Sequence, residues 1–339
     1  MWCRLTLFGL LGLAGCAGSS FSLPSAPAAP AQRAPLAGAH AITEFQIHDL
    51  GESAAPYAIA AGRDGAMWFT EAGSSAIGRI DRYGSVRQFA LPAAGSQPEG
   101  IALGDDGALY FAENAGSAYG THLGRISGQG RVQEWNDSNY APKGVAAGPH
   151  GTVWFTQGCA GLAVLHGGKA AQLPLDGISG QTLAIARGPD GAMWFAEDGT
   201  ARIGRMTGAG TLTLYTGFMY QHKYGDVPNG VAIGPDGNLW WTAMLGDKIW
   251  AMDVHGRVRH VYTIPTPNAE PWGIATGRDG ALWFTEWGGN KIGRVTTDGR
   301  FSEYALPTAN AKPQGIARAA DGSLWFVEMG ANQIGRIME

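Results

Sequence analysis

The chain has 339 residues, 45% of them hydrophobic, with 12 Trp and a formal net charge of −4. That length suits one large repeat domain with a continuous apolar core. The mild acidity, with no basic stripe interleaved with aromatics, argues against nucleic acid as a partner.

Residues 1–15 have the pattern of a signal peptide: one early charge, Arg4, precedes the apolar run LTLFGLLGLAG, which is too short to span a bilayer. Leu13-Ala14-Gly15-Cys16 resembles the bacterial lipobox, in which the Cys is acylated and becomes the new N-terminus. Acylation at Cys16 implies an exported lipoprotein of the cell envelope, and Ala17 directs it to the outer membrane, facing the periplasm. The alternative is an ordinary secretory signal with an incidental Cys. With Cys3 removed and Cys16 acylated, only Cys159 remains, so no intramolecular disulfide is expected and Cys159 reads as a buried free thiol. Residues 16–40 comprise the lipidated Cys and, from residue 17, an Ala/Pro/Ser-rich tether that lacks the apolar content for a core.

Residues 41–339 form the folded domain. It begins with an isolated strand, Thr43 to Leu50 (TEFQIHDL), and continues as seven copies of one phrase. The sixth copy reads EPWGIATGRDGALWFTEWGGNKIGR from Glu270 to Arg294. Gly65, Gly107, Gly151, Gly191, Gly237, Gly280 and Gly322 mark the equivalent turns, spaced by roughly 40 to 46 residues, a propeller-blade period. Each copy has four strand-like pieces, named A to D from the axis outward; in the sixth they are WGIAT, ALWFTE, KIGRVT and FSEYALP. The seventh copy ends after its third piece. The fold class is therefore all-β, a seven-bladed propeller of four-stranded antiparallel blades. The N-terminal strand should complete the last blade and close the ring, which removes an exposed sheet edge.

Strands A and B fold back at the Asp-Gly turn, so the residue after the Pro should meet the Glu ending strand B. The variable positions hold Tyr57, Glu99, Lys143, Leu183, Asn229, Trp272 and Gln314. The nearly constant positions hold Glu71, Glu113, Gln157, Glu197, Ala243, Glu286 and Glu328. These are expected to form a double ring around one mouth of the axial channel. The variable ring would be adapted to a ligand, and the constant one would accept backbone N–H groups of the next blade.

The wording Pro-x-Gly-Ile, Leu-Trp-Phe-Thr-Glu, Asn-Lys-Ile-Gly-Arg and Glu-Tyr-x-Leu-Pro resembles the virginiamycin B lyase (streptogramin B lyase) family over essentially the whole folded domain. The resemblance implies a seven-bladed propeller and a magnesium-dependent lyase that opens the ester of a cyclic depsipeptide by elimination. It also implies two His and two Glu at the channel mouth of the last two blades. Here those positions hold Trp272, Lys312 and Gln314, with Glu328 aligning with the final family Glu. Both imidazoles are replaced, and neither Trp nor Gln can act as a general base.

Two histidines sit where a mouth-side loop could carry them, His122 after Glu113 and His222 before the fifth blade. They read as solvated loop residues or as a transplanted acid/base pair. Two functions follow. One is an envelope-anchored, monomeric binding propeller that takes a small molecule, peptide or envelope protein at Tyr57, Glu99, Lys143, Asn229, Trp272, Lys312 and Gln314. The other is a lyase using Glu328, Glu286, His122 or His222, with Mg2+ implied by the family resemblance. The six-bladed, calcium-dependent lactonase propellers fit poorly.

Overall fold

The computed structural model describes residues 40–47, 54–93, 95–114, 121–136, 141–158, 161–175, 177–178, 180–218 and 226–339. The signal peptide, Cys16, Cys159 and His222 lie outside the described residues.

Seven four-stranded antiparallel sheets follow one another along the chain. Blade one comprises Pro56–Ala61, Met67–Glu71, Ala76–Ile80 and Val86–Ala90, and blade six comprises Pro271–Thr276, Leu282–Glu286, Lys291–Val295 and Phe301–Ala305. Each residue of the repeated phrase has an identifiable physical role. The turn Asp accepts a hydrogen bond from the strand-B Trp and pairs with the strand-C Arg. For Asp279 the distances are 3.2 Å to Trp283 Nε1 and 2.6 Å to Arg294 Nε, and Asp64 and Asp190 repeat the pattern. The strand-C Gly is required because the strand-B Phe ring crosses it: a Cβ at Gly293 would lie 2.1 Å from Phe284.

The strand-B Trp stacks on an aromatic of strand D, as Trp68 does on Phe89, Trp194 on Tyr215 and Trp283 on Tyr304. Successive blades bury these groups against one another. One cluster joins Met67, Phe69 and Ile80 of blade one to Trp325, Val327 and Ile334 of blade seven.

The ring closes as the orphan strand predicts. Ile42–Gln46 pairs antiparallel with Gln333–Ile337 and takes the outermost place in the last blade. Phe45 occupies the strand-D aromatic position and stacks on Trp325 at 5.4 Å. The Glu44 carboxylate also accepts hydrogen bonds from the backbone N–H and hydroxyl of Thr308, tying the strand to the preceding blade connection.

Around the axis, adjacent blades are clasped by the Thr that precedes the strand-B Glu. Thr285 Oγ1 accepts from Gly273 N–H at 2.9 Å and donates to the Gln314 carbonyl of the next blade at 2.7 Å. Thr70, Thr156 and Thr242 make the same bridge. The inter-blade role assigned from sequence to the Glu therefore belongs to its neighbour. A hydroxyl suits the site because it can donate and accept at once.

Candidate functional site at the channel mouth

Six of the seven variable positions line an axial cavity of about 240 Å³: Tyr57, Glu99, Lys143, Leu183, Asn229 and Trp272. They arrive there because strand A is innermost and the Pro-x-Gly segment is irregular. Its pairing with strand B shifts register between the Pro and the Ile, as between Pro271 and Ile274.

The lining has two characters. Tyr57 and Trp272 meet edge to face at 6.3 Å and form an aromatic wall. Opposite in character, Glu99 accepts from Asn114 Nδ2 at 2.7 Å and lies 3.6 Å from Lys143 Nζ. The Asn229 amide nitrogen is buried without a hydrogen-bond partner and so is available to a ligand carbonyl. Burial and the nearby Glu99 carboxylate raise the Tyr57 pKa, so the phenol stays protonated and can act only as a hydrogen-bonding group.

The structure corrects several sequence expectations. Gln314 contributes its carbonyl to the Thr285 bridge, but its side chain is buried and does not line the cavity. Lys312 sits on a left-handed turn (φ +50°) with its ammonium 4.9 Å above the Trp287 ring. The expected double ring is a single ring. Glu71, Glu113, Glu197, Glu286 and Glu328 are fully buried and do not line the cavity. Each pairs in register with the first part of strand C, as Glu286 does with Lys291 and Glu328 with Gln333. His122 lies on strand C of blade two, directly across from Glu113, rather than in a loop. Asn114, which orients Glu99, carried no sequence signal because its role depends on the start of strand A lying alongside.

The corner where the family resemblance implies magnesium holds Trp272, Lys312, Gln314 and Glu328. Trp272 offers no ligand atom, Lys312 is cationic, and Glu328 is the one carboxylate. Burial and the neighbouring Glu44 push Glu328 up to about 8, well above the ordinary 4.5. A protonated carboxyl, with a lysine and an indole at other family positions, does not fit a hard dication, which takes oxygen ligands.

Glu328 also predicts a pH dependence of stability. Its folded pKa lies above its unfolded value, so the folded state holds an extra proton between about pH 4.5 and 8. Stability should therefore fall as pH rises through that window, by up to about 1.4 kcal/mol per pH unit from this group. Melting curves at pH 5 and pH 8 are expected to show a smaller decline in Glu328→Gln than in the wild type. Equal declines would assign the carboxyl no such role.

A closed seven-bladed propeller with an aromatic and charged channel mouth defines the class of protein: a propeller with a lined cavity on its axis. A sequence profile of the Virginiamycin B lyase family matches residues 33–163 and 134–339. The chain belongs to that family. A virginiamycin B lyase of Nocardia farcinica is 31% identical over 219 residues, which cover 64% of this chain and 72% of that protein. A solved streptogramin B lyase superposes with a TM-score of 0.81 at 32% identity, covering 88% of this chain and 97% of the other. A catalytically inactive histidine-to-alanine virginiamycin B lyase from Staphylococcus aureus, solved with quinupristin, gives 0.80 at 31% identity over 88% of this chain and 99% of that one.

Proposed function

We propose that this chain is an envelope-held binding propeller, which receives a small peptide-like or cyclic ligand at the channel mouth without opening it. The observation that carries the reading is the composition of the mouth. An aromatic pair, an ion pair and a free amide are suited to hold a ligand, and no imidazole stands among them to serve as the family's general base. The inactive histidine variant of the Staphylococcus aureus enzyme supports it, since replacement of one imidazole accompanies loss of activity there. Here no variable position holds His.

The test uses quinupristin as probe, with the purified chain and magnesium. Tryptophan fluorescence follows binding and mass spectrometry follows ring opening. The expected result is saturable binding of the intact cyclic compound, weakened about tenfold or more by Trp272→Ala, a loss typical of an interface hot spot. Ring opening at the rate of an active relative would establish the lyase alternative instead. No saturable binding would remove this ligand class.

Anchoring through Cys16 belongs to the same proposal and rests on Leu13-Ala14-Gly15-Cys16. Cys16→Ala is expected to move the protein from the membrane to the soluble periplasmic fraction and to abolish labelling by a palmitate analogue. A wild type already soluble and unlabelled would mean that residues 1–15 are an ordinary signal.

A further inference from the structure

We propose that Glu113, His122 and Glu134 bind one divalent transition-metal ion, of the zinc or manganese kind, inside blade two. The three come from adjacent strands, Leu109–Asn114, Thr121–Ile126 and Val132–Asn136. Glu113 pairs with His122, and Glu134 pairs with Gly124, two residues beyond His122. The pleat therefore turns all three side chains to one face. One ligand atom from each lies within 4.8 Å of the others, and among the described residues this is the single such group of His, Cys, Asp and Glu.

Glu113 supplies the second, independent observation. It is 0% exposed, and neither carboxylate oxygen has a hydrogen-bond partner. His122 Nδ1, 4.0 Å from Glu113 Oε2, is likewise buried and unpartnered, as is Glu134 Oε1. Leaving several buried acceptors unsatisfied is costly, and one cation satisfies all of them.

The other blades show what differs in blade two: Glu71 and Glu197 gain protein donors, whereas both oxygens of Glu286 and Glu328 stay unpartnered like those of Glu113. In blade four Arg202 takes the His122 place and reaches Glu197 at 3.1 Å. In blade six Lys291 takes that place and pairs with Glu303, the counterpart of Glu134, at 2.9 Å. In blade one Gln88, also at the Glu134 position, donates to Glu71 at 2.7 Å. In blade seven Glu44 takes that position, and its own oxygens are held by Thr308. Blade two instead combines two carboxylates with an imidazole and brings in neither Lys nor Arg. One nitrogen and two carboxylates suit zinc or manganese better than magnesium or calcium. His122 retains 18% side-chain exposure, which leaves a route for the ion and a coordination position for water.

The experiment titrates the untagged full chain, freed of metal with a chelator, with Zn2+ and separately with Mn2+ by calorimetry. One ion per chain is expected, with a rise in Tm. His122→Ala and Glu134→Gln are each expected to weaken binding by at least about 10- to 100-fold, the loss that even outer-sphere partners cause. Glu303→Gln, at the same place in blade six, should leave affinity unchanged. Cobalt(II) absorption gives a reading independent of stability, with an imidazole-ligated spectrum in the wild type and its loss in His122→Ala. Binding unaffected by His122→Ala, or no stoichiometric binding of either metal, would overturn the proposal. In the latter case the two carboxyls would be sharing a proton in place of a metal.

Discussion

Removing residues 41–47 is expected to lower the unfolding free energy by on the order of 5 kcal/mol, while a chain that begins at residue 40 melts like the full protein. The estimate counts Phe45 on Trp325, the buried Ile47, and Ile42 opposite Ile337, at about 1.5–3 kcal/mol for each large side chain fully buried. Two of the three are only half-buried, so the lower part of that range applies to them. Loss of the Glu44 bonds to Thr308 adds to it. The shortened chain also exposes the edge of Gln333–Ile337, an invitation to strand pairing between molecules. Against a typical total of about 5–15 kcal/mol, such a loss is large. Chemical denaturation with matched m-values measures it, and equal midpoints for the two truncations would mean that the N-terminal strand does not close the ring.

The second large effect concerns chemistry. The triple change Trp272→His, Lys312→Glu and Gln314→His restores the residue types that the family resemblance places at this corner. General acid–base catalysis contributes about 10²- to 10⁴-fold, and elimination alpha to a carbonyl depends on it. The triple variant is therefore expected to open a type B cyclic depsipeptide at least about 100-fold faster than the parent chain when magnesium is supplied. The position most open to failure is Gln314, because its side chain is buried beneath the rim and an imidazole there must turn into the cavity. Rotation is compatible with the Thr285 bridge, which uses only the Gln314 carbonyl. A variant as slow as the parent, with its fold intact by circular dichroism, would show that more than these side chains separates this mouth from an active one.

The number of blades, their order and the closure were legible in the sequence. Each blade is one local hairpin run, and its Asp, Trp, Gly and Arg satisfy one another within the repeat. Asp279, Trp283 and Arg294 lie within 15 residues, so their spacing alone implies their contacts. The aromatic of TEFQ could be read as a strand-D residue for the same reason. Six of the seven channel-ring positions were legible too, all but the buried Gln314, since a variable residue in a constant phrase marks a surface that packing does not dictate.

What lay beyond the sequence was the direction in which side chains point where the hairpin is irregular. Equidistance from the turn placed Tyr57 against Glu71, but the strand shifts register after the Pro, so Pro56 takes that partner. The aromatic turns into the channel while the Glu is enclosed in the blade, and the clasp between blades passes to Thr70. The same strand pairing took His122 out of a loop and set it beside Glu113 and Glu134, which are 21 residues apart in the chain. Local sequence determined the strands and turns, because their partners are near neighbours. Only the packed sheet decided which polar groups face the channel and which are buried together, because that depends on pleat and register across strands.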